Sequence, residues 1–279
     1  MIKLMLLYWL SPVLIYITYV HGQLDVIPIF LLFLCLDLLF KRKILFSAAV
    51  FGLALSSKTM IILSLPFIVL YLISKEEKNV FAFTFPLISS AVFFLINIFF
   101  IFDPSFQEMV FFNDEQVKIF ELAFIIDKSY FYFIPACILI LLVRGLLISN
   151  FNRDIFLMFL GFAFGIILLF VSPMQGWYFW LIPFLTYFYS KSDDGSYIFL
   201  ILLQIGYLLY FGLIPSSDYW SVLSLNINSQ NLYQILDIND LNPRFFQGLA
   251  FTFLQVTLAV NCALIYQKVI DSYSKHKIT

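Results

Sequence analysis

"DVIPIFLLFLCLDLLFKRKILFSAAVFGLALSSK", residues 25–58, decides the fold. An apolar run from Val26 to Phe40 stops at Lys41-Arg42-Lys43, and a second run from Ile44 to Leu55 stops at Ser56-Ser57-Lys58. Neither run alternates polar and apolar residues as a half-buried strand would, so each reads as a helix apolar all round. Two such helices joined by three cations form a hairpin whose basic turn sits in water. Asp37 lies one helical turn before Lys41 and reads as its intrahelical partner.

The rest of the chain has the same character. It is 62% hydrophobic and 20% aromatic with only 12% charged residues among 279, and its mean hydropathy is +0.97. That composition predicts an all-α, polytopic transmembrane helix bundle forming a single integral membrane domain over residues 1–279. Apolar segments fall near 4–20, 25–40, 44–57, 59–73, 80–101, 130–148, 155–172, 177–190, 196–214 and 245–267, about ten spans at about 20 residues per crossing. The first has no small-residue cleavage site and reads as a retained span. A net charge of −1 excludes a nucleic-acid partner, which would need a large basic excess. Cys35, Cys137 and Cys262 lie inside apolar segments without metal-like or disulfide-like spacing.

Charge sets the expected orientation. With both termini in the cytoplasm, twelve Lys/Arg fall inside and four outside (Lys58, Lys118, Lys128 and Arg244). The outward connections are then "HGQLD" (21–25), the turn at Lys58, the segments 102–129 and 215–244, and the corner "SPMQGWYFWLIPF" (172–184). The two long segments mix aromatic with acidic residues and are expected to lie partly in the interface as amphipathic helices. Polar chemistry gathers on this extracytoplasmic face.

Three features there are candidates for function. His21, Gln23 and Asp25 put three hydrogen-bonding side chains within five residues. The local reading makes Asp25 an N-cap of the next helix and leaves His21 and Gln23 wet; the functional one has them line a cavity for a hydroxylated ligand. Lys58 closes a run of about 14 residues, roughly 21 Å of helix, so its ammonium is drawn toward the membrane. It either snorkels or faces an anion such as a phosphate. At the third feature, Gln175, Trp177 and Tyr178 crowd a corner broken by Pro173 and Gly176. Trp and Tyr are ordinary at membrane interfaces, while an amide between aromatic planes suits a sugar or an isoprenoid.

In order and spacing these elements resemble the GT-C superfamily of membrane glycosyltransferases, in particular its polyprenol- or dolichol-dependent mannosyltransferase-like members. The resemblance rests on Ser11-Pro12, Gly22-Gln23-x-Asp25, Lys41-Arg42-Lys43, Gly52-Leu53-Ala54, Lys58 and Leu65-Pro66, and on "QGWYFWLIPF" at 175–184. It covers roughly residues 8–75 and 172–186. It implies a polyprenyl-phosphate sugar as donor, a glycan or lipid-linked acceptor, and inverting transfer at the extracytoplasmic face. A carboxylate in an outward loop would be the general base, with Asp25 the candidate here, and Lys58 or Arg244 would offset charge on the leaving lipid phosphate. No cofactor is required; the family leaves room for a divalent metal, for which no ligand set is evident.

Members of that superfamily carry an acidic outward loop ahead of the Ser-Pro helix, and this chain begins almost on that helix. The expectation is therefore that the isolated chain does not catalyse transfer and works with an N-terminal partner subunit. The competing classes are a surface-polysaccharide polymerase, a lipid-linked oligosaccharide transporter and a non-catalytic membrane subunit. A polymerase would favour outward arginines, which are sparse here.

Overall fold

The computed structural model describes residues 2–75, 80–148, 151–192, 194–212 and 243–278. Its elements in chain order are α1 (Ile2–Trp9), α2 (Pro12–Ile15), α3 (Val26–Phe40), α4 (Ile44–Ser57), α5 (Leu65–Ser74), α6 (Val80–Asn97), α7 (Pro104–Val110), α8 (Asp114–Val117), β1 (Ala123–Ile126), β2 (Ser129–Tyr132), α9 (Phe133–Leu146), α10 (Arg153–Phe170), α11 (Ile182–Ser190), α12 (Ile198–Gly212) and α13 (Pro243–Ile278). Each of the ten apolar segments read from the sequence contains helix at the expected place. Among the described residues, Val80–Asn97, Arg153–Phe170 and Arg244–Tyr273 are long and apolar enough to cross a membrane. The pair Ile2–Trp9 and Pro12–Val20, bent by 47°, passes the same test as one broken span. The remaining apolar helices are shorter.

The fold is helical but not wholly so. β1 and β2 form an antiparallel hairpin, Ala123 opposite Tyr132 and Ile126 opposite Ser129, where the sequence reading expected interfacial helix up to 129 and a membrane span from 130. The reason is local. "AFII" and "SYFY" are β-branched and aromatic, and Asp127 adopts a left-handed φ of 56° in the two-residue turn between them. The 102–129 segment is thus two short helices followed by a strand. Of the second segment expected to face outward, 215–242 lies outside the described residues.

The chain divides into two compact units, residues 26–172 and residues 1–25 with 173–279. In the 26–172 unit, α4 is the central helix, packed on α3 and α6. Small side chains let the backbones approach: the Ser47 hydroxyl donates to the Cys35 carbonyl at 2.8 Å, and the Ser89 hydroxyl reaches the Ala48 carbonyl at 3.0 Å. Gly52 fits because a Cβ there would lie 2.6 Å from the Ser89 carbonyl oxygen. Between helices in lipid, packing of this kind substitutes for a hydrophobic driving force that lipid tails do not supply. The α10 face is sealed by aromatics, Tyr71 stacking on Phe156 at 4.6 Å and Phe67 meeting Phe159. The outer surface stays apolar, with Phe83, Leu95 and Ile140 each more than two-thirds exposed.

The charges of this unit separate along the helices. Lys41, Arg42, Lys43, Lys75, Arg144 and Arg153 stand at one pole with Asp37 and Asp154. The opposite pole carries Lys58, Lys118 and Lys128 with Asp103, Glu108, Asp114, Glu115, Glu121 and Asp127. Lys118 is paired to Glu115 at 2.7 Å, and the expected Asp37–Lys41 pair is present at 2.7 Å.

In the other unit α12 packs along α13, and α1 packs against α11. Asn261 ties three helices together. Its Oδ1 accepts from the Tyr189 hydroxyl of α11 at 2.6 Å, and its amide donates to the Phe199 carbonyl of α12 at 2.9 Å and to the Thr257 carbonyl of its own helix at 2.7 Å. The side chain is wholly buried. At the end of these helices Lys268 donates to Ser192 at 2.7 Å, to Asp194 at 3.0 Å and to Ser196, while Lys3 donates to the Ser192 carbonyl. The Lys268 ammonium holds the Asp194 carboxyl well below the usual carboxylate range, helped by the Ser196 hydroxyl and backbone N–H.

Candidate functional site

The opening polar cluster is built by a helix that changes pitch. Ser11 accepts the Leu14 N–H at 3.4 Å and starts α2, with Pro12 in the first turn where its missing N–H costs nothing. Past Ile15 the chain widens into a π turn over Tyr16–Val20, closed by the His21 N–H on the Tyr16 carbonyl at 2.8 Å. Gly22 then takes a φ of 71°, a left-handed conformation that suits glycine, and the Gln23 N–H returns to the Ile17 carbonyl at 3.0 Å. The turn carries Gln23 back toward its own unit. Asp25 is only 2% exposed, His21 is half-buried, and Gln23 buries its amide oxygen, which meets no hydrogen-bond donor among the described residues.

The second wall is the corner at 172–184. After Pro173 the chain forms a tight 3₁₀ turn, Gln175–Trp180, whose residues from Gly176 on are all buried. Gly176 is where the two motifs meet: a Cβ there would fall 1.9 Å from Gln23 Oε1 and 2.1 Å from its Cδ. The Gln23 amide therefore lies directly on the Gly176 backbone. The neighbouring Gln175 carbonyl accepts from the Tyr207 hydroxyl of α12 at 3.0 Å. The Tyr207 ring stands edge-on to Tyr178 at 5.2 Å and to Tyr16 at 5.8 Å. Burying an acceptor that lacks a donor costs on the order of 1–3 kcal/mol, so the Gln23 oxygen is a position that a ligand hydroxyl would satisfy. The Tyr178 hydroxyl and the Gln204 amide oxygen are buried without a donor or acceptor partner among the described residues, in the same unit.

The structure thus brings together Gln23 and the Gln175–Tyr178 turn. Trp177 is not displayed to an interface; it stacks on Trp180 at 5.4 Å and is 4% exposed. Arg244 stands exposed in the first turn of α13. Lys58 belongs to the 26–172 unit, where it ends α4 half-buried, its N–H on the Ala54 carbonyl.

Just past Lys58 lies a cavity of about 430 Å³ that the sequence reading did not anticipate. Its walls are largely Leu55, Met60, Phe93, Phe94, Phe111 and Phe120, with Thr59, Ser90 and Gln116 as polar points. Gln116 donates to the Thr59 hydroxyl at 2.7 Å and to the Val110 carbonyl at 3.0 Å, so the α7–α8 segment is tied to the turn that follows α4. Such a volume lined by apolar side chains suits an isoprenoid or acyl chain. The signal was the aromatic content of 106–120, read as interfacial anchoring when part of it is cavity wall. Among the described residues no three His, Cys, Asp or Glu are placed to share a metal ion.

Comparison with known proteins found no matching family model, no similar curated protein and no similar solved structure.

Proposed function

We propose that the chain is a multi-pass membrane protein of about ten spans with both termini cytoplasmic, and that it acts as a GT-C-like glycosyltransferase on a polyprenyl-phosphate sugar at the extracytoplasmic face. One observation carries the reading: Gly22-Gln23-x-Asp25 and Gln175-x-Trp177-Tyr178, about 150 residues apart in sequence, pack against each other at Gln23 and Gly176. Each lies in one of the two stretches, roughly 8–75 and 172–186, over which the resemblance runs. In this reading the Gln23 amide holds a sugar hydroxyl, and Asp25, or else a carboxylate of an N-terminal partner subunit, takes the proton of the acceptor hydroxyl. The acceptor oxygen then bonds to the anomeric carbon from the face opposite the lipid phosphate, the bond to that phosphate breaks, and the lipid phosphate leaves as an anion. The apolar cavity beside Thr59 suits the chain of a lipid. The charge separation within the 26–172 unit supports the orientation, its basic pole inside and its acidic pole outside. A cysteine introduced at Ser105 in a background without the native cysteines should react with an impermeant thiol reagent in intact cells; labelling only after lysis would reverse the orientation.

The activity is tested in membranes of the native host, wild type against Asp25→Asn and Gln23→Ala, with labelled polyprenyl-phosphate sugars and lipid-linked acceptors. Loss of a general base lowers turnover by about 10²–10⁴-fold. Transfer that Asp25→Asn leaves untouched at equal protein level would remove Asp25 from the chemistry. Binding of the labelled donor without any transfer would instead assign the chain to a non-catalytic subunit.

A further inference from the structure

The basic pole of the 26–172 unit holds a second cavity, of about 270 Å³, unlike the first in chemistry. Arg42, Lys75, Arg153 and Asn152 line it, with the Tyr71 and Phe40 rings as apolar wall. Three cationic side chains thus border one small space, and no carboxylate lines it among the described residues. Asp37 is turned to Lys41, and Asp154, the acid next in sequence to Arg153, is not part of the lining.

The side chains are held for this arrangement. Arg153 donates to the Phe40 carbonyl at 3.1 Å while its guanidinium lies 4.8 Å from the Phe40 ring centre, which fixes the plane and leaves other N–H groups of the fork available. The Lys75 ammonium lies 5.5 Å from the Tyr71 ring centre. Asn152 caps α10 by accepting the Ile155 N–H at 2.9 Å, so the positive end of an 18-residue helix adjoins the same space.

The end of α3 closes with the Arg42 N–H on the Leu39 carbonyl at 3.0 Å and the Lys43 N–H on the Leu38 carbonyl at 2.9 Å. That pattern places Arg42 at the left-handed position that terminates a helix, where glycine is preferred, and its φ is 63°. The backbone there would suit glycine, so the Arg42 side chain can be removed without straining the turn.

We propose that this cavity binds a phosphate-bearing anion, seated between the Arg42, Lys75 and Arg153 side chains, and supplied either by an anionic phospholipid headgroup or by a soluble phosphate compound. A phosphate presents several acceptor oxygens to two guanidinium forks and one ammonium, a match that chloride does not offer. Basic pockets between membrane helices take phospholipid headgroups by the same chemistry.

The test uses the full chain, purified in neutral detergent, and compares wild type with Arg42→Gly and Lys75→Gln by thermal unfolding and by native mass spectrometry. One arm titrates inorganic phosphate against sodium chloride at matched ionic strength; the other adds phosphatidylglycerol against phosphatidylcholine. A saturable stabilisation by phosphate assigns the soluble source. Stabilisation and retained adducts with phosphatidylglycerol alone assign the lipid. In either case binding should fall about tenfold or more in both variants, as expected for loss of a charge-assisted hydrogen bond. Arg42→Gly is the sharper variant: because glycine suits the backbone there, the free protein should melt no lower than wild type while losing the ligand. No shift beyond the chloride and phosphatidylcholine controls in either arm, or full retention of the shift in both variants, overturns the proposal.

Discussion

Replacing Gly176 by alanine tests whether the Gln23 amide is a working group or packing. The added Cβ would sit 1.9 Å from Oε1, 2.1 Å from Cδ and 2.4 Å from Nε2 of Gln23. Carbon needs about 3.5 Å from such neighbours, so the amide must move by more than about 1 Å. It is the far end of a flexible side chain, and it moves without displacing backbone. Forcing it off its rotamer costs about 0.5–1.5 kcal/mol, and alanine returns about 0.4–1 kcal/mol by restricting the unfolded chain. Folding stability should therefore change by less than about 1 kcal/mol. If the proposed site takes a lipid-linked sugar, its binding should suffer more, because the ligand would lose one buried hydrogen bond: about 1–2 kcal/mol, a dissociation constant raised about 5- to 30-fold. The decisive assay is a double-mutant cycle with Gln23→Ala. Once the amide is gone, the added methyl group has room, so the double variant should bind no worse than Gln23→Ala alone. Affinity unchanged in Gly176→Ala, or strictly additive losses, would refute the argument that the two motifs act through this contact.

Other consequences are more structural. Gly52→Ala should lower the melting temperature, since its Cβ would meet the Ser89 carbonyl oxygen and Val92 Cβ, each at 2.6 Å, on a neighbouring helix. Overpacking of that kind costs about 1–3 kcal/mol against the roughly 1 kcal/mol gained in helix propensity, whereas Gly248→Ala, with nothing within 4 Å, should be neutral or stabilising. The Lys268–Asp194 tie should show itself through pH. The folded carboxyl is held below its ordinary value, so the stability it contributes is present above about pH 4 and is lost as pH falls toward the folded value. Lys268→Met should melt below wild type at pH 7, and the gap should close in acid and narrow in salt; a gap constant from pH 7 to pH 3 would contradict the assignment.

What could be read in the sequence follows from what lipid and water each punish. A charged turn inside an apolar chain is expensive, so Lys41-Arg42-Lys43 marked the α3–α4 hairpin, and the same logic located the other helical segments. Burial within the bundle was not legible. When lipid is as apolar as leucine, a helix need not differ between its two faces, so Trp177 and Tyr178 looked interfacial when they are interior. The β1–β2 hairpin was missed for a different reason. Its aromatics suited an interfacial helix before 129 and the start of a span after it as well as they suit strands, and the deciding signal, Asp127 in a left-handed turn, is one residue long. The candidate site was half legible: His21, Gln23 and Asp25 stand out by polarity, but their neighbour Gly176 matters for what it lacks. The basic cavity hides because Arg42, Lys75 and Arg153 come from three helix ends, each ordinary as a membrane-flanking charge.

The π turn at Tyr16–Val20 makes the site depend on counting. A π turn is an α-helix with one residue too many, and each residue advances a helix by about 100°. Removing any one of the five would restore ordinary pitch, keep the hydrophobic character of the segment and swing everything after it by that angle, carrying the Gln23 amide off the Gly176 backbone. The polar pentapeptide is aimed by arithmetic as much as by chemistry. Sequences that keep its use are expected to keep the number of residues from 16 to 20 as well as the buried Tyr16 and Ile17.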